Sequence, residues 1–240
     1  EERDVLFFGG GYDVVHDNAE DLTTGDLGSA IYMVDAHTGE LLWSAGDGPT
    51  DYDLDLPLKN SIPGDLAVND IQNDGFVDSV MAVDIAGKVW RIDINKQPGD
   101  ADEFATGGLI ANLTDPRLED GDPNTEGVFR RFYIGPSVAL AKQPGVDPFF
   151  VVALGTGYVA QPKDETVMYD RHYGLFVDNI FEPLKDQDGV PIYEAVDNLD
   201  LYDVTDPQDD PADPDDGPAD KSNNAPHGYF YNLTTPGEKI

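Results

Sequence analysis

Along the chain, short apolar runs alternate with clusters of Gly, Asn, Asp and Pro, and scarcely any segment carries the spacing of a sustained amphipathic helix. The runs are rich in Val, Ile, Tyr and Phe, which favour a pleated backbone. They predict strands at Val5–Gly9, Ala30–Asp35, Leu41–Ser44, Ser79–Asp84, Val89–Ile94, Phe132–Ala141, Phe149–Gly155, His172–Val177 and Tyr229–Leu233. Some, such as Phe149–Leu154, are apolar at every position, the pattern of a strand covered on both faces. The fold class read from this pattern is all-β.

The runs also repeat. Ile31-Tyr-Met-Val-Asp35, a Gly39 turn and Trp43 are matched by Val80-Met-Ala-Val-Asp84, Gly87 and Trp90, with 49 residues from Asp35 to Asp84. Phe8-Gly-Gly-Gly-Tyr12 is echoed 146 residues on by Leu154-Gly-Thr-Gly-Tyr158, close to three such periods. A period just under about 50 residues is that of a four-stranded propeller blade, each blade burying its faces on its neighbours. The expectation is a single partial β-propeller over residues 1–240, with blades at about 1–60, 61–128 and 129–240 and acidic loop insertions. Three blades are fewer than a closed ring uses. The chain also opens on Glu1 and not on an initiator Met, so a processed or truncated piece of a longer propeller is expected. Asn95–Asp102 and Gly121–Gly127 read as surface loops, and residues 203–226 as a flexible insertion. Asp206–Asp220 alone holds seven Asp and four Pro with no basic residue, too little apolar area to offset chain entropy.

Charge narrows the function. Asp and Glu number 48 against 14 Lys and Arg, a formal net charge of −34. That balance excludes nucleic acid as a partner, because binding a phosphate backbone begins with a basic footprint. The acids form either a solvated surface or a reservoir of carboxylates for divalent cations. A composition of 40% hydrophobic and 10% aromatic residues is enough to build a core. Cysteine is absent, which removes disulfides, thiol nucleophiles and thiolate metal sites. The longest apolar stretches fall far short of the roughly 18 residues that a membrane-spanning helix needs.

The sharpest motif is Asp70-Ile-Gln-Asn-Asp74-Gly-Phe-Val-Asp78. Oxygen-bearing side chains at the first, third, fifth and ninth positions, Gly at the sixth and a backbone carbonyl at the seventh describe a calcium loop, whose alternate residues point inward. The candidate ligands are Asp70, Gln72, Asp74, the carbonyl of Phe76 and Asp78, and the candidate cofactor is Ca²⁺. Three carboxylates suit it better than Mg²⁺, which demands tight octahedral geometry. Met81 stands where an EF-hand has its closing Glu, and strand-type residues follow, so this loop belongs between strands. Gln72, neutral and longer than the usual Asp or Asn, lowers the expected affinity. The plainer reading is a hairpin turn at Asn73-Asp74-Gly75, though a bare turn has no need of acids at Asp70 and Asp78.

Val34-Asp-Ala-His-Thr-Gly-Glu-Leu-Leu-Trp43 resembles the tryptophan-docking repeats of quinoprotein dehydrogenases. This supports the propeller architecture and leaves a fragment of such an enzyme as an alternative. No Gly-x-Ser-x-Gly, His-Glu-x-x-His or Gly-x-x-x-x-Gly-Lys sequence occurs, and a non-catalytic chain is expected. His16, His37, His172 and His227 are scattered and read as turn or surface residues. Gly9-Gly10-Gly11 reads as a strand end or bulge where backbones come close.

Taken in order, a set of segments resembles the C-terminal propeller of the PilY family. They are Phe7-Phe-Gly-Gly-Gly-Tyr-Asp13, Ala30 to Trp43, the Asp70 loop with Val89-Trp-Arg-Ile-Asp93, Arg130-Arg-Phe-Tyr-Ile-Gly-Pro136, Leu154 to Tyr158, Asp170-Arg-His-Tyr-Gly-Leu175, and Tyr229-Phe-Tyr-Asn-Leu233 followed by Gly237-Glu-Lys239. The resemblance implies a type IV pilus tip-associated protein, outside the cytoplasm at the bacterial surface, that supports pilus biogenesis, surface adhesion and twitching motility. It implies that Asp70, Gln72, Asp74, Phe76 and Asp78 are counterparts of a calcium loop regulating pilus extension and retraction. The implied partners are the minor pilins of the tip complex, an N-terminal domain not included in this chain, and a host or abiotic surface. No Arg-Gly-Asp triplet occurs, so integrin binding is not carried over. A purely structural surface propeller is the remaining alternative.

Overall fold

The computed structural model describes residues 2–17, 27–48, 50–95, 104–114, 130–160, 170–205 and 225–234. Among the described residues, three larger sheets and one two-stranded hairpin form the fold. The first runs β1 (Val5–Gly9), β2 (Ala30–Asp35), β3 (Leu41–Gly46) and a short β4 (Leu54–Asp55), with β4 parallel to β3. The second is an antiparallel meander of β5 (Ala67–Asn69), β6 (Ser79–Val83), β7 (Lys88–Ile94) and β8 (Ala105–Asn112). The third contains β9 (Ser137–Ala141), β10 (Phe149–Gly155), β11 (Arg171–Val177), β14 (Tyr202–Asp203) and β15 (Gly228–Asn232), in the order β14-β15-β11-β10-β9. A separate hairpin of β12 (Leu184–Lys185) and β13 (Pro191–Ile192) lies between β11 and β14 in the chain.

The period-two alternation of strand side chains decides how the sheets stack. Along β6, Val80 and Ala82 join Ile31, Met33 and Trp43 of the first sheet, whereas Met81 and Val83 join Phe150, Val152 and Leu154 of the third. All five positions of β6 are therefore buried, and the second sheet is covered on both faces. Trp90 and Ile92 of β7 extend the first core, and Val89 the second. Burying each large apolar side chain contributes about 1.5–3 kcal/mol, so the fold is held chiefly by blade-on-blade packing. The architecture is an all-β, partial propeller-like stack, as the pattern of runs and repeats led one to expect.

Several element boundaries differ from the sequence expectation. Phe132–Ala141 shortens to Ser137–Ala141, because Pro136 has no N–H for the ladder and Phe132 instead fills the core between the second and third sheets. β8 was not predicted, since Gly107 and Gly108 dilute its strand character. The structure gives those glycines a use: a Cβ at Gly108 would lie 2.5 Å from the Tyr193 side chain. The other blades repeat this device, with Tyr52 on Gly46 and Tyr229 on Gly174. A Cβ at Gly9 would lie 2.4 Å from the Ile62 carbonyl oxygen, the close backbone approach expected of the Gly9–Gly11 run.

At the edges of the Asp/Pro-rich segment, Asp203 belongs to β14, which pairs parallel with β15, and Ala225 is fully buried. The remainder of that expected insertion, residues 206–224, and the expected loops at 96–102 and 121–127 lie outside the described residues.

Candidate functional site

The Asp70–Asp78 loop joins β5 to β6. Its neck is closed by the backbone: the Asp78 N–H donates to the Asn69 carbonyl at 2.8 Å, and the Ile94 N–H donates to the Asp78 carbonyl at 2.9 Å. Inside the loop the carboxylates organise the chain. Asp70 accepts the N–H groups of Asp74 at 3.1 Å and Gly75 at 2.8 Å. Asp74 accepts the N–H of Phe76 at 3.0 Å, and Oδ2 of Asp78 accepts those of Ile71 and Gln72 at 2.6 and 3.2 Å. Asn73 and Gly75 have φ of 55° and 88°, the left-handed conformations that bend the loop back on itself.

The acids at Asp70 and Asp78 therefore have a structural use that their spacing did not disclose: each satisfies two loop N–H groups. That use is compatible with a cation. A carboxylate offers about four lone-pair positions, and the two N–H bonds of Asp70 engage half of them. The donor set of three carboxylates, an amide and a carbonyl is the hard-oxygen kind that Ca²⁺ takes. Asp70, Gln72, Asp74 and Phe76 are exposed and Asp78 is half-buried. Among the described residues no three His, Cys, Asp or Glu side chains are gathered closely enough to hold a metal ion. The loop's donors are of the kind that takes Ca²⁺, but its carboxylates are engaged on loop N–H groups and are not gathered around one point.

The surroundings are acidic. Asp74 and Phe76 line one side of an open cleft of about 960 Å³ that also takes in Asp35 of β2 and Asp4 and Glu40, which directly precede β1 and β3. Arg3 approaches Asp35 and Glu40 at 3.9 and 3.7 Å, and His37 Nε2 lies 3.0 Å from Asp4 Oδ2. Acids still outnumber these bases along the cleft, a charge arrangement that draws cations toward the loop.

The repeated aspartates show how environment sets chemistry. Asp35 accepts the N–H groups of His37 and Thr38 on an open turn, and those bonds, with Thr38 first, hold its carboxyl below the usual range. Asp84 accepts Ala86 and Lys88 N–H in the equivalent turn but is buried, and loss of water pushes its pKa up to about 6.

Two buried polar clusters escaped the sequence reading. Arg91, on β7, donates to Asp93 and to the carbonyls of Asp178 and Asn179, and the Tyr193 hydroxyl donates to Asp93 Oδ2 at 2.8 Å. This fastens the second blade to the third. His16, expected at a turn or surface, does sit in a short 3₁₀ turn (Val14–Asp17), but it is buried, and neither of its ring nitrogens has a hydrogen-bond partner among the described residues. Burial lowers its pKa, with the Arg131 charge acting in the same direction. The tyrosines that end the two echoed glycine motifs both reach Asp17: Tyr12 donates its hydroxyl to the Asp17 carboxylate at 2.8 Å and Tyr158 to the Asp17 carbonyl at 2.6 Å, while the Arg131 guanidinium lies 3.9 Å above the Tyr158 ring. Nothing in four scattered histidines marked His16 out, because its burial comes from distant chain segments. His37 remains on an exposed turn.

No family model matches this chain, and no curated protein matches it. Among solved structures, the crystal structure of the Pseudomonas aeruginosa PilY1 C-terminal domain is similar, with a TM-score of 0.54 and 16% identity over 88% of this chain and 46% of that chain. The likeness is one of fold. This chain spans about half the length of that structure.

Proposed function

We propose that this chain is the calcium-binding β-propeller of a type IV pilus tip-associated protein that acts at the bacterial surface in pilus biogenesis, adhesion and twitching motility, without catalysis of its own. One observation carries the reading. An oxygen-rich loop, curled on its own carboxylates, sits between two strands of a four-stranded blade in a fold similar to the PilY1 C-terminal domain.

Bound Ca²⁺ would neutralise charge among Asp70, Asp74 and Asp78, with Gln72 and the Phe76 carbonyl completing the oxygen set. The chain's own residues pass the effect inward. Asp78 ties the loop to β5 through Asn69 and to β7 through Ile94, so stiffening the loop stiffens the blade on which both outer blades pack. Asp74 faces the acids of the first blade, so relief of repulsion there steadies the contact between blades. The partners in this reading are minor pilins, an N-terminal domain of the same protein, and a host or abiotic surface.

The test is genetic. In a bacterium carrying the full-length protein, replacing Asp70 and Asp74 together by Asn is expected to reduce twitching and surface piliation while the protein still reaches the surface. Twitching at the unmodified level in that variant would overturn the reading.

A further inference from the structure

We propose that the cleft beside the β12–β13 hairpin is a docking site for a segment of a partner protein whose apolar side chains are flanked by Lys or Arg. The cleft, of about 400 Å³, opens where the second and third blades meet. Ile110, Leu175, Val177 and Val196 line its blade side, and Leu184 and Ile192 its hairpin side. Its volume lies at the low end of the roughly 300–1,000 Å³ of small-ligand pockets, and Leu184 and Ile192 on its hairpin side are themselves exposed. Phe181, Val190 and Leu199, in the hairpin and its flanks, are 63%, 56% and 67% exposed. Exposed apolar side chains on the cleft wall, with more of them along the same stretch of chain, mark a contact surface for a macromolecule more than an enclosed small-molecule pocket.

Charge selects the occupant. Glu194 and Asp200 line the cleft, and Glu182, Asp186 and Asp188 stand along the hairpin. Lys185 is paired with Glu182, and the buried Arg91 is engaged by Asp93 and two backbone carbonyls, so acids remain in excess. An acidic segment would be repelled, and so would a second copy of a chain carrying −34. The cleft is preformed. Tyr193, next to β13, is bonded to Asp93, and Val196 bridges to Ala111 of β8, so little ordering is required on binding.

The probe is a short fluorescent peptide alternating Leu with Lys, compared with its Leu/Glu counterpart, titrated into the chain and into Leu184→Asp and Glu194→Lys at one ionic strength. Both positions are exposed, and an unchanged Tm in each variant confirms the fold. The Leu/Lys peptide is expected to bind at least about tenfold tighter than Leu/Glu, and each substitution to weaken it by about tenfold. Leu184→Asp is the discriminating variant. It makes the chain more acidic, so attraction to bulk charge alone would tighten binding, and unchanged or tighter binding overturns the proposal. Equal binding of the two peptides, or full affinity in Glu194→Lys, does so as well. Self-association that Leu184→Asp abolishes would assign the cleft to a second copy, and the proposal would fall with it.

Discussion

The indole Nε1–H of Trp90 donates to Oδ2 of Asp84 at 3.2 Å, with both residues buried. The same carboxylate accepts the backbone N–H groups of Ala86 and Lys88, so one side chain fixes the β6–β7 turn and a core tryptophan together. Because burial raises its pKa to about 6 from an ordinary 3.8, the folded state holds this proton more tightly than the unfolded chain does.

Stability should respond to pH accordingly. The contribution from the Asp84 proton is fully present below the ordinary pKa of 3.8 and is lost as pH rises through about 6. Between pH 5 and pH 8, a range clear of the pI near 4.1, the loss amounts to roughly 1.4 kcal/mol. Urea unfolding of the parent chain and of Asp84→Asn at both values isolates it, since the charge effects of the other acids are common to the two. The parent's advantage over Asp84→Asn is expected to shrink by about that amount at pH 8. A pH-independent difference would contradict the buried ionisation.

Arg91 is expected to behave as a clamp between blades. Arg91→Met removes the cationic partner of a largely buried Asp93 and two bonds to the residues that follow β11, a loss of about 3 kcal/mol in denaturant unfolding. Replacing Asp93 by Leu in the same chain should recover part of that loss, because the stranded carboxylate goes with it. A single-variant loss below about 1 kcal/mol would show that the clamp is not holding the blades.

The ring of Tyr193 rests on Gly108, so Gly108→Ala is expected to cost about 1–3 kcal/mol by overpacking. In a Tyr193→Ala background the same change should cost less than half as much, a coupling read from a double-mutant cycle of unfolding free energies. Additive costs would mean that the glycine is required for its backbone and not for the space above it.

How much of this was legible in the sequence depended on whether the cause was local. Val5–Gly9, Ala30–Asp35 and Phe149–Gly155 are strands over the same residues that their patterns marked, because alternation and flanking turns are written in neighbouring positions. The Asp35 and Asp84 turns were legible as a repeat for the same reason. β4 and β14 were not: each is two residues long and pairs in parallel with a strand delivered by the tertiary fold. Arg91 looks like an ordinary polar strand residue until Asp178 and Asn179 are brought beside it, and His16 looks like a surface residue until Arg131 and Tyr158 close over its turn. The Asp70 loop was legible in composition, but the work of Asp70 and Asp78 on loop N–H groups depends on a curl that Asn73 and Gly75 create through their left-handed conformations.

Calcium should also stabilise the fold if the loop binds it. Free Ca²⁺ at a hundred times its dissociation constant is expected to raise unfolding stability by about 2.7 kcal/mol, read as a shift in the urea midpoint. Mg²⁺ at the same concentration should shift it less, because it resists the flexible coordination such a loop offers. An equal shift with both ions would point to screening of the acidic surface.

Calorimetric titration of CaCl₂ into the parent chain and into Asp74→Asn bears most directly on the calcium loop. Asn keeps an oxygen to accept the Phe76 N–H while the charge and one ligand oxygen are lost, so that loop bond can survive the change. The expected result is one saturable binding event in the parent chain, weakened by at least about tenfold in Asp74→Asn. Identical titrations for the two proteins would contradict the assignment of Asp70, Gln72, Asp74, Phe76 and Asp78 as the ligands.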